Sequence, residues 1–208
     1  MRVNKVQNIV FSSSGTATGE TPKMPVSENY GPLLPISLYG ASKLASEGLM
    51  SAFCHIFDIK AGIFRFANII GSRATHGAIF DFINKLKKNP ADLEILGDGT
   101  QEKPYILVAD CLVRILHGLS VQQEKCEIFN IGVNSTTTMT RIADILVEEM
   151  GLKNVRFRYT GGNRGWLGDV PQFRYNVQKM RKLGWQTSHS SDEAMHIAIR
   201  KILCNEVS

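Results

Sequence analysis

The chain has 208 residues and a net charge of +5, with 43% apolar and 21% charged residues, the balance of a globular protein able to bury a sizeable core. That excludes a disordered chain, a collagen-like repeat and a disulfide-stapled miniature, and no apolar run approaches the ~18 residues of a membrane-spanning helix. Lys and Arg alternate with Asp and Glu, and the nearest thing to a basic block (Lys85, Lys87, Lys88) sits at helical spacing without interleaved aromatics, so it reads as a solvated face rather than a nucleic-acid surface.

The N-terminus, MRVNKVQNIVF, has a basic start, but Gln7 and Asn8 break its apolar stretch, so it does not read as a secretory signal. Residues 6–11 read as a buried strand that begins almost at the first residue and runs into Ser12, Ser13 and Ser14. A loop with Pro22, Pro25, Pro32 and Pro35 follows. Over 39–57, Leu44, Leu49, Met50, Phe53 and Phe57 recur at three to five residues and predict a long helix. A second core strand at 61–66 completes a βαβ unit, whose right-handed crossover makes the two strands parallel neighbours.

Further on, helices are predicted at 78–88, 109–118 and 140–150, and strands at 93–96, 105–108, 127–131 and 155–159. A GDG turn occupies 97–99 and a glycine-rich loop 161–168. Ser191 reads as the N-cap of the last helix, with Asp192 and Glu193 in its first turn. The fold class is α/β. Cys54, Cys111, Cys126 and Cys204 are scattered without ligand spacing, as expected of reduced, mostly buried thiols in a cytosolic protein.

The most informative string is YGASK at 39–43. Tyr39 and Lys43, four apart, share one helix face, where an ammonium favours the charged form of a phenol that ordinarily ionises near pH 10. Taken alone, this spacing occurs by chance in many chains and more often describes a surface tyrosine and a solvated lysine. Its context is more specific. FSSSGTATG at 11–19 ends a strand, with Ser14 lying 25 residues before Tyr39. RFAN at 65–68, LGDGTQEKPYILVADC at 96–111, FNIG at 129–132, RGWLGDV at 164–170 and KLGW at 182–185 follow in order.

This ordered series resembles the extended short-chain dehydrogenase/reductase family, the NAD-dependent sugar-nucleotide epimerases and dehydratases. The resemblance implies the C-terminal part of a Rossmann-type parallel sheet with a smaller α/β substrate-binding domain. Residues 1–70 would form a partial NAD-binding domain. Residues 71–208 would be mainly the substrate domain, with segments returning to the sheet. Tyr39 would be the base that takes the sugar hydroxyl proton, Lys43 would hold the nicotinamide ribose and the phenolate, and Ser14 would share a hydrogen bond with the same hydroxyl. Ser12, Ser13 and Phe66 would line the cofactor. Asn68, Lys103 and Arg164 would meet the substrate diphosphate, and Asp169 the nucleoside ribose. On the bland reading, Asn68 is a strand-end turn residue and Asp169 a local cap.

Three departures bear on the reaction. Lys103 stands where the family has a phosphate-binding arginine, keeping the charge without the fork geometry, and Pro104 follows in place of an aspartate. Thr18 occupies a position where the family often has a tyrosine wall. Gly15 and Thr16 stand where dehydratases carry an Asp-Glu pair, so no carboxylate is available there for elimination. Small neighbours beside the serine match the 4-epimerases. The implied activity is 4-epimerisation of a UDP-hexose of the glucose/galactose type by transient hydride removal to NAD. The alternatives are another NAD-dependent sugar-nucleotide epimerase or reductase, and a non-catalytic nucleotide-sugar binding or interaction module.

The family's opening strand, glycine-rich turn and helix, which grip the NAD pyrophosphate, have no counterpart before residue 14. The expectation is therefore a chain carrying the nicotinamide and substrate ends of the site. It would be completed by an N-terminal half supplied elsewhere, or would form a homodimer through the YxxxK helix, in the cytoplasm, with no nucleic-acid or membrane partner. The edge of the strand at 6–11 would be exposed.

Overall fold

A computed structural model describes residues 3–185 and 188–205. The serine segment forms β1 (Asn8–Ser14), and its last residue, Ser14, caps a single 3-10 turn over Gly15–Thr18 by accepting from the Thr16 amide at 3.3 Å. After the proline loop, α1 (Leu38–Phe57) starts at Ser37, whose hydroxyl accepts from the Gly40 amide at 3.0 Å, and stops at Asp58, whose φ of 50° ends the helical run. Then come β2 (Lys60–Phe66), β3 (Asn68–Ile70), α2 (Ala78–Lys88), β4 (Asp92–Ile95), β5 (Glu102–Lys103) and β6 (Tyr105–Leu107). The rest comprises α3 (Val108–Val121), β7 (Cys126–Ile131), β8 (Thr137–Thr138), α4 (Met139–Glu149), β9 (Arg156–Tyr159), α5 (Gln178–Lys182) and α6 (Ser191–Asn205).

The main sheet is parallel with order β1-β2-β7, so the predicted βαβ unit forms with its two strands adjacent. Its ladder sets Ser12, Ser13 and Ser14 opposite Phe64, Arg65 and Phe66. Side chains alternate between the faces. Glu47 of α1 reaches Ser13 and Arg65 on one face, while α3 packs on the other, where a Cβ at Gly118 would press on the Phe64 ring. Phe64 and Phe129 stack there with centroids 5.1 Å apart. β1 is the edge strand of this sheet, and Val10 on it is exposed.

Three short pairings, β3 with β6 and β4 with β9 in parallel and β5 with β8 antiparallel, frame the second region. Its core gathers Ile79, Phe82 and Leu86 of α2 against Leu93 and Ile95 of β4, Ile142 and Leu146 of α4, and Met195 and Ile199 of α6. A third cluster, with Val26, Val170, Phe173 and Tyr175, ties the proline loop to the chain after 169.

Two local expectations are corrected. The apolar residues Leu49 and Phe53 do not face the core but are 58% and 46% exposed, whereas Gly40, Glu47 and Cys54, at seven-residue intervals, form the buried line of α1. Small and hydrogen-bonded residues let the helix lie close on the sheet: a Cβ at Gly40 would collide with the carbonyl oxygen of Thr16. The last helix is capped by Ser190 rather than Ser191: Ser190 accepts from the Glu193 amide at 3.3 Å while Glu193 accepts from the Ser190 amide at 2.7 Å. Ser191 turns inward and accepts from the Tyr105 amide at 3.1 Å.

Candidate active site

The C-terminal end of β1 and the first two turns of α1 bring the serines, Tyr39 and Lys43 together. Lys43 Nζ donates to the Ser12 carbonyl at 2.7 Å and lies 5.2 Å from the Phe11 ring centroid and 5.5 Å from that of Tyr39. A backbone carbonyl and two aromatic faces therefore fix a cation one helical turn from the phenol. Tyr39 is 54% exposed, so the phenol is open to an incoming molecule. The Ser14 hydroxyl oxygen accepts from the Thr16 amide and from Thr16 Oγ1 at 3.0 Å. With its acceptor capacity used inward, its proton remains to be donated outward. Phe66 reaches this sheet end as the ladder partner of Ser14, its side chain packed toward the cluster around Phe64 and Phe129.

Ser13 does not face this opening. It is buried and donates to Glu47 Oε1 at 2.5 Å. The same carboxylate accepts from Arg65 Nε at 2.9 Å and from Arg65 Nη2 at 2.6 Å, a bidentate pair sealed from water. Burial would push the Arg65 guanidinium down, but Glu47 outweighs it and holds it above its usual value. Glu28 completes this layer. Its carboxylate accepts from the Asn130 amide at 3.0 Å, and burial pushes it above the usual carboxylate value. Neither Glu47 nor Glu28 was singled out from the sequence. For Glu47 a signal existed: it lies four residues beyond Lys43 on the same helix.

The residues expected to meet the diphosphate and ribose converge nearby. Asn68 holds the Pro104 carbonyl through its amide at 3.2 Å and its side-chain Nδ2 at 3.3 Å, which sets Lys103 beside it in the chain. Lys103 pairs with Asp169, whose other oxygen accepts from the Gly165 amide at 3.3 Å. Arg164 donates to the Asp169 carbonyl at 2.8 Å and pairs with Glu20 at 2.5 Å. Two cations and two carboxylates thus form one cluster. A cleft of about 340 Å³ opens beside it, with Glu20, Gln101, Asn163 and Gln172 in its walls.

The two groups adjoin through the glycine-rich loop, since a Cβ at Gly168 would lie 3.1 Å from that of Ser37, the cap of α1. Thr18 is buried and donates to the Gly15 carbonyl at 2.7 Å, so it offers no wall to the opening.

The model of the NAD dependent epimerase/dehydratase family matches residues 1–132. The chain belongs to that family. It is 32% identical over 191 residues to a putative UDP-glucose 4-epimerase of Methanocaldococcus jannaschii, which covers 89% of this chain and 60% of that protein. A UDP-glucose 4-epimerase of Yersinia pestis is 26% identical, covering 93% of this chain and 62% of its own length. A crystal structure of UDP-galactose 4-epimerase superposes with a TM-score of 0.88 at 32% identity over 100% of this chain and 66% of that one. That of the Thermotoga maritima UDP-glucose 4-epimerase with UDP-glucose gives 0.85 at 26%, again covering 100% and 66%. The chain thus spans about 60% of the length of the first curated relative. Among the described residues of this family member, no helix is long and apolar enough to cross a membrane.

Proposed function

We propose that this chain carries the catalytic and substrate-binding portion of a nucleotide-sugar 4-epimerase acting on a UDP-hexose of the glucose/galactose type. The observation that carries the reading is the arrangement of Tyr39, Lys43 and Ser14: an exposed phenol, a cation anchored on the Ser12 carbonyl and a hydroxyl with its proton unused. Residues 1–70 would then belong to the cofactor-binding domain and residues 71–208 mainly to the substrate domain.

Lys43, Tyr39 and the backbone of Ser12 and Phe66 would hold the nicotinamide end of NAD, since the Lys43 ammonium spends one of its three donors on the Ser12 carbonyl and keeps others for a hydroxyl. The chemistry that NAD would supply there is reversible acceptance of a hydride from the sugar carbon. The chain's own residues move the proton. Tyr39 takes it from the C4 hydroxyl as the phenolate and becomes the neutral phenol, with the Lys43 ammonium 5.5 Å from its ring, and Ser14 donates to the sugar oxygen. Gly15 and Thr16 supply no carboxylate beside Ser14, which favours return of the hydride over loss of water. Arg164 and Lys103 would hold the diphosphate by exchanging their carboxylate partners for phosphate oxygens, Asn68 would contact it, and Asp169 would meet the ribose.

The UDP-glucose 4-epimerases among its relatives support the UDP-sugar class. The open edge of β1 and the exposed stripe of Leu49, Phe53 and Ile56 on α1 suit a partner, either a second copy meeting α1 or a separate half that adds a strand beside β1.

Calorimetry of the purified chain with UDP-glucose and with NAD, followed by an interconversion assay, tests this reading. Binding of both with turnover supports the epimerase, and sugar-nucleotide binding without turnover supports the binding module. A chain that binds no UDP-sugar contradicts both.

A further inference from the structure

An aromatic residue outside the expected set lies on the loop that joins the cation–carboxylate cluster to the start of α1. The loop from Arg164 to Asp169 is closed at its base: Arg164 Nη1 donates to the Asp169 carbonyl, the Gly165 amide to Asp169 Oδ2 at 3.3 Å, and the Asp169 amide to the Trp166 carbonyl at 3.0 Å. Its base is therefore built from two residues of the cation–carboxylate cluster. At its tip, Trp166 remains 59% exposed. The indole is folded back over Gly168, where any Cβ would collide with its ring, and the same point lies 3.1 Å from the Cβ of Ser37. Ser37 caps α1 two residues before Tyr39. The indole thus sits on the loop that joins the Arg164–Asp169 cluster to the cap of α1.

We propose that Trp166 is a specificity-determining wall of the hexose pocket, stacking on the apolar C–H face of the sugar. This inference rests on the nucleotide-sugar reading above. In a nucleoside diphosphate sugar, the chain of groups runs from base and ribose through two phosphates to the hexose. With Arg164 on the phosphates and Tyr39 on the reacting hydroxyl, a group on the loop that joins the two would meet the hexose and not the base. Thr18, buried against the Gly15 carbonyl, supplies no aromatic surface from the serine segment, so the loop supplies it instead. An open aromatic face beside convergent polar groups is the usual composition of a small-molecule site. Gly168 is required for the geometry, because only a residue without a side chain lets the indole come this close to the backbone.

The test is a fluorescence and calorimetric titration of the intact chain and of Trp166→Leu, with UDP-glucose and with UDP alone. The second tryptophan, Trp185, is stacked by the Arg114 guanidinium at 3.5 Å from its centroid and provides the internal reference. UDP-glucose changes the emission of the intact chain, UDP changes it far less, and the change is absent in Trp166→Leu. Trp166→Leu weakens UDP-glucose about three- to tenfold and leaves UDP unaffected, while Trp166→Phe recovers most of the loss. Equal affinities of the intact chain and Trp166→Leu for UDP-glucose overturn the assignment and leave the proposed function standing. An equal loss for UDP and UDP-glucose also overturns it, because the indole then touches the nucleotide. If the intact chain binds neither ligand, the nucleotide-sugar reading falls, and this inference with it.

Discussion

The carboxylate of Glu47 on α1 clasps the guanidinium of Arg65 on β2, at 2.9 and 2.6 Å, and takes a third hydrogen bond from Ser13 on β1. One buried group therefore ties the helix that carries Tyr39 and Lys43 to both strands beneath it. Ser12 and Ser14, which flank Ser13, are the residues that hold Lys43 and face the opening. Whatever shifts Glu47 shifts the register between the helix and the serine segment.

Breaking this pair from one side is expected to cost about 3–5 kcal/mol, because it leaves a buried charge without its partner. Both side chains are almost fully shielded, at 2% and 6% exposed, so screening does not reduce the effect. In urea denaturation, Glu47→Leu should lose that amount, and the double variant Glu47→Leu with Arg65→Met should recover a large part of it. Additive losses in the double variant would show that the two residues act independently.

Glu28 predicts a pH dependence of opposite sense to that of an ordinary ion pair. Burial raises its folded value above 4.5, so the folded state holds the proton more readily than the unfolded chain. Its contribution is favourable below the unfolded value and declines as pH rises through the folded one. Glu28→Gln removes this titration while keeping an oxygen for the Asn130 amide. The variant should melt above the wild type at neutral pH, with the difference closing as pH falls toward 4. A difference that widens in acid would contradict this.

The strand–helix–strand unit was legible because its signals are local: apolar runs, a proline loop, and a tyrosine and lysine four residues apart. The side of α1 that is buried was not legible, since Leu49 and Phe53 have the periodicity of a core face and yet lie outside. Periodicity finds a stripe but not what covers it. Glu47 and Arg65 meet through the helix's seating on the sheet, and Lys103 and Asp169, 66 positions apart, meet only through tertiary folding. Assigning the cluster of Asn68, Lys103, Arg164 and Asp169 from sequence therefore required the family resemblance. The pairing of its cations with Glu20 and Asp169 required the structure.

That pairing predicts a competition. Arg164 is held by Glu20, and on the proposed function a diphosphate would have to take its place. A partly exposed ion pair of this kind is worth up to about 1 kcal/mol. Glu20→Gln should therefore tighten UDP up to about fivefold in calorimetry. Arg164→Leu should weaken it. Weaker binding in Glu20→Gln would show that the carboxylate orients Arg164 for the ligand instead of competing with it.

Gly40 tests how closely α1 must approach the serine segment. A methyl group there would meet the Thr16 carbonyl oxygen and come within 3.0 Å of Pro35 Cβ. Gly40→Ala should cost about 1–3 kcal/mol by overpacking, despite the better helix propensity of alanine, and should displace Tyr39 from Ser14. Chemical denaturation reads the first effect. A variant as stable as the wild type would show that the helix can move outward without cost.

The most direct measurement is the interconversion of UDP-glucose and UDP-galactose with NAD, by the wild type and by Tyr39→Phe at equal concentration, each supplied in trans with a glycine-rich NAD-binding half of the family. The phenyl ring keeps the shape of the site and removes only the oxygen that takes the proton. The account predicts product from the wild type and a loss of about 10²–10⁴-fold in Tyr39→Phe. Equal turnover by the two proteins, or no turnover from a wild-type chain that binds both ligands, would contradict it.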